Sequence, residues 1–443
     1  MPSSHPLPPS CHWFSRLASA LDPRSAPRLA WLLVGAVLAR GRRTVTSWIR
    51  AARLSGEYRP CYTTVAAAGT RADSIAARLL HGAVKPLVAD AERLTFAIDD
   101  TPTERYGRHV QGAGVHHNPT PGPAGSPFVY GHVWVVLGLL GCHPAWGVIA
   151  LPVLARLYIR EKTLAAMAPA DRPAFRTERA LAAEWMRWAK CGVGMRATPL
   201  WAATDGAYAT APFLKPMTAL AATAVGRLRK DANLRTAPDV QPGKRGRPRT
   251  YGERRIDPAK RGGQRRGWAT GTFAPYGEAT EKTYETFVAT WRPAGGAIRV
   301  VLAEEPDGWV AFFCTDTAAA AADIRGCVAN RFPSGLAFRD CTDMVGAGRR
   351  QVRRVRASVG ACHVCVWTFA TTEAWAWGRD TDGLVGHRAA SPWDDGARRP
   401  RHADERRAWR RELLAAEVRA VRRPGLTEPE VEAAAERLPD LAA

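Results

Sequence analysis

The apolar alternation Leu94-Thr95-Phe96-Ala97-Ile98 runs straight into two carboxylates, Asp99 and Asp100, and then into the turn-forming Thr101-Pro102-Thr103. Much later, Pro199-Leu200-Trp201-Ala202-Ala203-Thr204 is again a short apolar stretch that ends on an acid, Asp205, followed by Gly206-Ala207-Tyr208. Carboxylates at the end of an apolar strand are expensive to desolvate unless something positive meets them, and a divalent cation is the usual solution. A turn cap, in which the side chain accepts from nearby backbone N–H groups, accounts for a single such acid equally well. One strand-end aspartate is common. Two of them, with a hairpin and helices between, form a constellation.

Two other groupings carry chemistry of a different kind. Cys362-His363-Val364-Cys365 offers up to three soft ligands, but no second Cys/His cluster stands at zinc-finger spacing to complete a tetrahedron, and a buried apolar helix face is the simpler reading. Between Lys230 and Arg266 the chain is basic and rich in Gly and Pro, and within it lies Lys244-Arg245-Gly246-Arg247-Pro248-Arg249. An extended Gly-Arg-Pro unit of this AT-hook-like kind fits the narrow minor groove of A·T-rich DNA with its flanking cations on phosphates. Generic phosphate contact by a basic linker is the alternative.

The elements that must position these residues follow from composition and patterning. The 443 residues carry 63 Lys+Arg against 41 Asp+Glu, a formal charge of +22, which favours a polyanionic partner through counterion release. With 46% hydrophobic residues and 16 Trp the chain builds a real core, which excludes a disordered basic tail. Nine scattered cysteines read as reduced thiols. The first residues lack the pattern of a secretory signal, and the run Leu29 to Ala39 is too short to span a bilayer. The longer run Phe128 to Tyr158 is broken by Gly141-Cys142-His143-Pro144 into two strand-like halves. A soluble cytoplasmic, nucleoid-associated protein with no membrane segment is expected. Helical patterns resume around Thr163 to Ala168 and Glu178 to Lys190, alternating segments from Thr270 to Thr290 and Ile298 to Cys314 read as strands, and Arg398 to Leu441 reads as a charged helical tail that binds DNA, dimerises or is solvated.

This order, acids on strands around a hairpin and helices, is that of a ribonuclease-H-like α/β fold: a mixed sheet flanked by helices, with an all-α amino-terminal domain and a β-rich insertion. The expected divisions are a helical DNA-binding domain over 1–90, a catalytic core over 91–234 and 298–380 interrupted by a basic β-rich insertion over 235–297, and a helical tail over 381–443.

With these residues in view the chain resembles bacterial insertion-sequence transposases of the DDE superfamily. The resemblance is carried by Phe96 to Gly107, the His116-His117-Asn118-Pro119-Thr120-Pro121-Gly122-Pro123 loop, Tyr130-Gly131-His132-Val133-Trp134 and Asp205-Gly206-Ala207-Tyr208. Thr290-Trp291-Arg292-Pro293, Ala311 to Asp316 and His402-Ala403-Asp404 add to it. It implies cleavage and strand transfer at terminal inverted repeats by a homo-oligomer on double-stranded DNA, with Mg2+ or Mn2+ held by three carboxylates. It makes Asp100 and Asp205 the first two ligands and turns Asp99 to the other face of its strand. The family's Tyr-(2)-Arg-(3)-Glu-(6)-Lys signature falls here on Val328, Arg331, Gly335 and Thr342, so the Arg is kept, as a DNA contact, and the Glu and Lys are not. Asp340 and Asp343 follow Gly335 but lie off its helical face or more than two turns along, with Asp343 the nearer in angle. The resemblance therefore allows two outcomes: a transposase degenerate at its third acid, or an inactive DNA-binding descendant or repressor.

Overall fold

The computed structural model describes residues 7–107, 109–118, 125–238, 249–273, 279–341, 345–347, 352–390, 394–395, 398–421 and 427–428. Of the residues singled out above, 119–123, 244–248 (Lys244, Arg245 and Arg247 among them), Thr342 and Asp343 lie outside them, as do 239–243, 274–278, 422–426 and 429–441 of the longer segments.

The chain opens with five helices, α1 (His12–Ala18), α2 (Ala26–Leu38), α3 (Val45–Ala51), α4 (Tyr58–Thr70) and α5 (Ala72–Leu79). Strands β1 (Leu94–Glu104), β2 (Gly114–His117), β3 (Phe128–His143) and β4 (Gly147–Tyr158) follow, the last two being the halves of the long apolar run. Their near-continuous burial explains why the segment lacks charge: both faces are covered. Helices α6 (Glu161–Ala165) and α7 (Glu178–Arg187) lead to β5 (Leu200–Thr204), α8 (Ala211–Ala219) and β6 (Thr223–Leu228). Then come β7 (Leu234–Arg235), β8 (Arg255–Ile256), α9 (Pro258–Gln264), β9 (Ala269–Phe273), β10 (Thr280–Trp291), β11 (Gly296–Glu305) and β12 (Gly308–Cys314). The chain finishes with α10 (Ala321–Ala329), α11 (Phe332–Asp340), α12 (Val355–Ala376), α13 (Thr381–Val385) and α14 (His402–Val421).

Among the described residues the strands form one twelve-stranded mixed sheet. Its centre has β3 antiparallel to both β4 and β1, and β1, β5 and β6 parallel. That is the ribonuclease-H-like order expected from the sequence. Beyond β6 the sheet continues through antiparallel β12, β11 and β10, so the β-rich segment extends the catalytic sheet edge to edge.

Helix α12 is the hub on one face of this sheet. It is buried along almost its whole length, from Ser358 to Ala376. It meets α4 at a glycine pair: a Cβ on Gly360 would stand 1.8 Å from the Val65 carbonyl oxygen, and one on Gly69 would stand 2.1 Å from that of Arg356. Only two glycines let the backbones approach this closely. The Cys-His-Val-Cys segment is part of the packed helix. His363 Nε2 accepts from the Ala155 N–H at 3.1 Å and Nδ1 bonds the Val359 carbonyl at 2.8 Å, while Cys362 and Cys365 are buried free thiols.

The charged tail is also docked. Trp409 is fully buried and stacks on Trp375 with ring centroids 5.4 Å apart, and buried Arg406 donates to the Ala36 and Val37 carbonyls at the end of α2. Those carbonyls have no partner within their own helix, so a guanidinium is a fitting cap. The amino-terminal helices, the sheet, α12 and α14 share one hydrophobic core. Among the described residues no helix is long and apolar enough to cross a membrane.

Candidate active site

Strands β1 and β5 run parallel and in register as far as Ala97 opposite Ala203, and β5 ends at Thr204. The expected strand end at Asp99 and Asp100 is not found: β1 runs on through both acids and through Thr101-Pro102-Thr103 to Glu104, held by its pairing with β3. Asp99, Asp100 and Asp205 each present a carboxylate oxygen, and the three oxygens lie within 4.8 Å of one another. All three residues are half-buried. Asp205 also accepts from the Ala207 N–H at 2.9 Å, the turn cap that sequence alone could not tell from a ligand; here one residue serves both ends.

The placement of Asp99 differs from expectation. Strand alternation was to turn it away, but its carboxylate reaches the same cluster. Alternation fixes the direction of Cβ, not of the carboxylate, and the Arg331 guanidinium at the start of α11 draws Asp99 into an ion pair at 2.6 Å. Arg331, expected on DNA, thus has one N–H group committed to an acid of the site.

Crowding shows in the electrostatics. Burial pushes Asp99 up to about 6, opposed by Arg331 and reinforced by Asp100 and Asp205. Asp100 is also raised, first by burial and then by the Asp205 charge, with Arg179 opposing. The buried Tyr208 hydroxyl is pushed well above its ordinary value by burial and by the same acids.

A fourth carboxylate comes from a helix the sequence predicts but does not place at the site. Thr177 caps α7 by accepting from the Ala180 N–H at 3.2 Å, and the first helical residue, Glu178, is near enough for the charges of Asp100 and Asp205 to bear on it. Its carboxyl is raised by burial first and further by Asp100 and Asp205, with Arg179 opposing. Arg179 bridges the arrangement, with Nη1 2.6 Å from Glu178 Oε2 and Nε donating to the Ala207 carbonyl at 3.1 Å. Thr-Glu at a helix start is an ordinary cap with a charge that suits the helix dipole. Nothing local in the sequence tells that the amino end of α7 points at β5.

On α11, Arg331 and Gly335 are one turn apart and share a face. Gly335 is exposed, and a Cβ built there meets nothing within 4 Å. Pro333, Ala337 and Asp340 lie on the other side, where they line a cavity. Asp340 is accordingly turned from the face of Gly335. Arg249, the AT-hook-like residue that is described, is exposed and ion-paired with Glu253.

Residues 16–292 match the family described as DDE superfamily endonuclease, a span that includes both acid-bearing strands and α7. No curated protein matches the chain. Family match, strand order and converging acids agree, and the chain belongs to the DDE superfamily endonucleases, whose substrate is DNA and whose chemistry uses divalent metal.

Proposed function

We propose that the protein is an insertion-sequence transposase whose metal site has lost one carboxylate. The observation that carries this reading is the convergence of Asp99 and Asp100 of β1 with Asp205 at the end of β5. The donor set fits a hard divalent ion. It is all oxygen, and it is crowded enough to raise Asp99 and Asp100 even with Arg331 paired to Asp99. Asp100 and Asp205 would hold Mg2+ or Mn2+, which when bound supplies charge stabilisation for attack on a phosphodiester.

The chain's own residues do the rest. Arg331 balances Asp99, and Arg179 ties the amino end of α7 to the turn behind Asp205. Glu178 is assigned a share of the third carboxylate's task, because its charge bears on both ligands. The +22 charge serves the grip on terminal repeats and target, by a homo-oligomer on the duplex. Residues 1–90, 235–297 and 381–443 are the parts we assign to that grip, alternating with the catalytic segments 91–234 and 298–380.

The glycine at 335 favours a second reading, a DNA-binding descendant that no longer cuts. One experiment tests both. Duplex bearing the element's ends is incubated with Mg2+ or Mn2+ and the wild-type chain, Gly335→Glu, or Gly335→Glu with Thr342→Lys. Cleavage restored by the substitutions alone supports the inactive descendant, and cleavage by wild type supports a working enzyme. Failure of every variant to bind or cut overturns the transposase reading.

A further inference from the structure

A second set of metal-ligating side chains lies inside the molecule, where α12 meets α14. Glu373 on α12 and His402 and Glu405 on α14 offer one ligand atom each, and these lie within 4.8 Å of one another. All three are buried, at 7%, 3% and 1% exposure. His402 and Glu405 stand three positions apart in the first turn of α14 and so share a face. The imidazole stacks on Phe369 with centroids 4.0 Å apart, and its Nδ1 is 2.8 Å from Glu373 Oε1.

That bond sets the chemistry of the other ring nitrogen. An Nδ1–H donated to a carboxylate leaves Nε2 with a lone pair, the tautomer of a metal-ligating histidine whose far side is held by an acid. His402 Nε2 is buried with no hydrogen-bond partner, and so is Glu405 Oε2. Two carboxylates buried together are costly without a compensating positive charge, which a cation bound at the open ring nitrogen would supply. The neighbouring arginines do not supply enough of it: Arg388 and Arg398 are spent on Asp404, at 2.5 and 3.0 Å. Arg399 opposes only part of the effect of burial and of Glu373 on Glu405, which stays raised well above its ordinary range. A cavity of about 590 Å³, lined by Trp146, Asp340, Phe369 and the three residues themselves, leads to the cluster.

We propose that Glu373, His402 and Glu405 form a binding site for a divalent transition-metal ion, Zn2+ in the first instance, that pins α14 to α12. One nitrogen and carboxylate oxygens suit zinc better than the hard ions expected at the all-oxygen aspartate cluster. The site is independent of the acids on β1 and β5. Its third wall is α11, the helix that carries Arg331 and Gly335 on its opposite face.

The test uses the full chain carrying Asp100→Asn and Asp205→Asn, so that the aspartate cluster does not contribute. After dialysis against chelator, Zn2+ is titrated calorimetrically, Co2+ is titrated by its visible absorption, and melting is followed with and without Zn2+. One equivalent bound, cobalt d–d bands and a higher melting temperature with Zn2+ are expected. Glu405→Gln in the same background should weaken binding by at least about a hundredfold. His402→Phe, which keeps the stack on Phe369, should abolish the cobalt bands. Should either variant fail to fold, the titrations of the parent chain decide. A folded parent that binds no Zn2+ or Co2+ with a dissociation constant below 1 mM, or binding that survives Glu405→Gln unchanged, overturns the site and leaves protons alone to neutralise the cluster.

Discussion

The two carboxylate clusters of this molecule are built from similar side chains and set in opposite surroundings. Asp99, Asp100 and Asp205 stand half-buried where β5 ends and its ladder with β1 stops, with arginines from two helices reaching in. Glu373, His402 and Glu405 are closed between α12 and α14, and one of the three is an imidazole. The difference separates two uses of buried charge. An open, all-oxygen site keeps positions for water and a phosphodiester and for ions that come and go with substrate. A closed site with a nitrogen donor contributes its binding energy to the fold. Substitution should therefore cost activity at the first site and stability at the second.

The sharpest way to break this contrast is to neutralise the aspartate cluster. In a Gly335→Glu chain that cuts DNA, Asp100→Asn or Asp205→Asn should lower the cleavage rate by on the order of a thousandfold, several kcal/mol of lost charge stabilisation. The melting temperature should hold or rise, since one repelling charge has been removed from beside Asp99. Gel-based cleavage and calorimetric melting of the same preparation check both halves. A fall in melting temperature with cleavage intact would show that these acids are structural.

A second substitution attacks the other region through its scaffold. Gly360→Ala places a methyl group against the Val65 carbonyl and forces α4 and α12 apart. Overpacking of this kind costs about 1–3 kcal/mol, at the upper end where backbone must move. Denaturant unfolding should show that loss, and Zn2+ affinity should fall with it because Glu373 rides on the same helix. Gly335→Ala, in open space, is the control and should leave stability within about 0.5 kcal/mol.

What the sequence revealed and concealed follows the same division. Asp205 was legible because the apolar stretch stops at Thr204, where β5 ends; the break in apolarity at Asp99 and Asp100 marked the acids but not a strand end, since β1 runs on through them to Glu104 against β3. The hairpin was legible because uncharged halves joined by Gly-Cys-His-Pro leave few other options. The direction of the Asp99 carboxylate was not, since Arg331, which sets it, lies far along the chain. Nor were Glu178 and Arg179, whose role depends on where the amino end of α7 lands. The closed cluster left no signature at all: Glu373 and His402 belong to different helices, and a His-Ala-Asp-Glu start to a helix reads as solvated charge. Trp409 was the one local hint that this tail is buried.

Glu178 offers a finer test of the open site. Glu178→Gln keeps the shape at the start of α7 and removes a charge that bears on Asp100 and Asp205. In the Gly335→Glu chain the Mn2+ concentration for half-maximal cleavage should rise about threefold to tenfold, and the rate at saturating metal should change less. A rate lost at all metal concentrations would place Glu178 in positioning DNA instead.

The smallest effect comes from a carboxylate that resembles neither cluster. Glu305 on β11 is partly buried, which raises its pKa, but Arg325 Nη2 at 2.7 Å and Lys282 Nζ at 3.2 Å outweigh burial and hold it below the ordinary glutamate range. A folded-state pKa below the unfolded one means stability that is present above the unfolded value of about 4.3 and lost as pH falls through the folded value. Glu305→Gln should therefore lower stability at pH 7 by no more than about 1 kcal/mol, given its exposure to solvent. The difference from wild type should close as the pH is taken below 4. Asp99 is shifted in the opposite sense. Deeper burial and the like-charged neighbours Asp100 and Asp205 together raise it against Arg331, whereas shallower burial with two paired cations leaves Glu305 below the ordinary range.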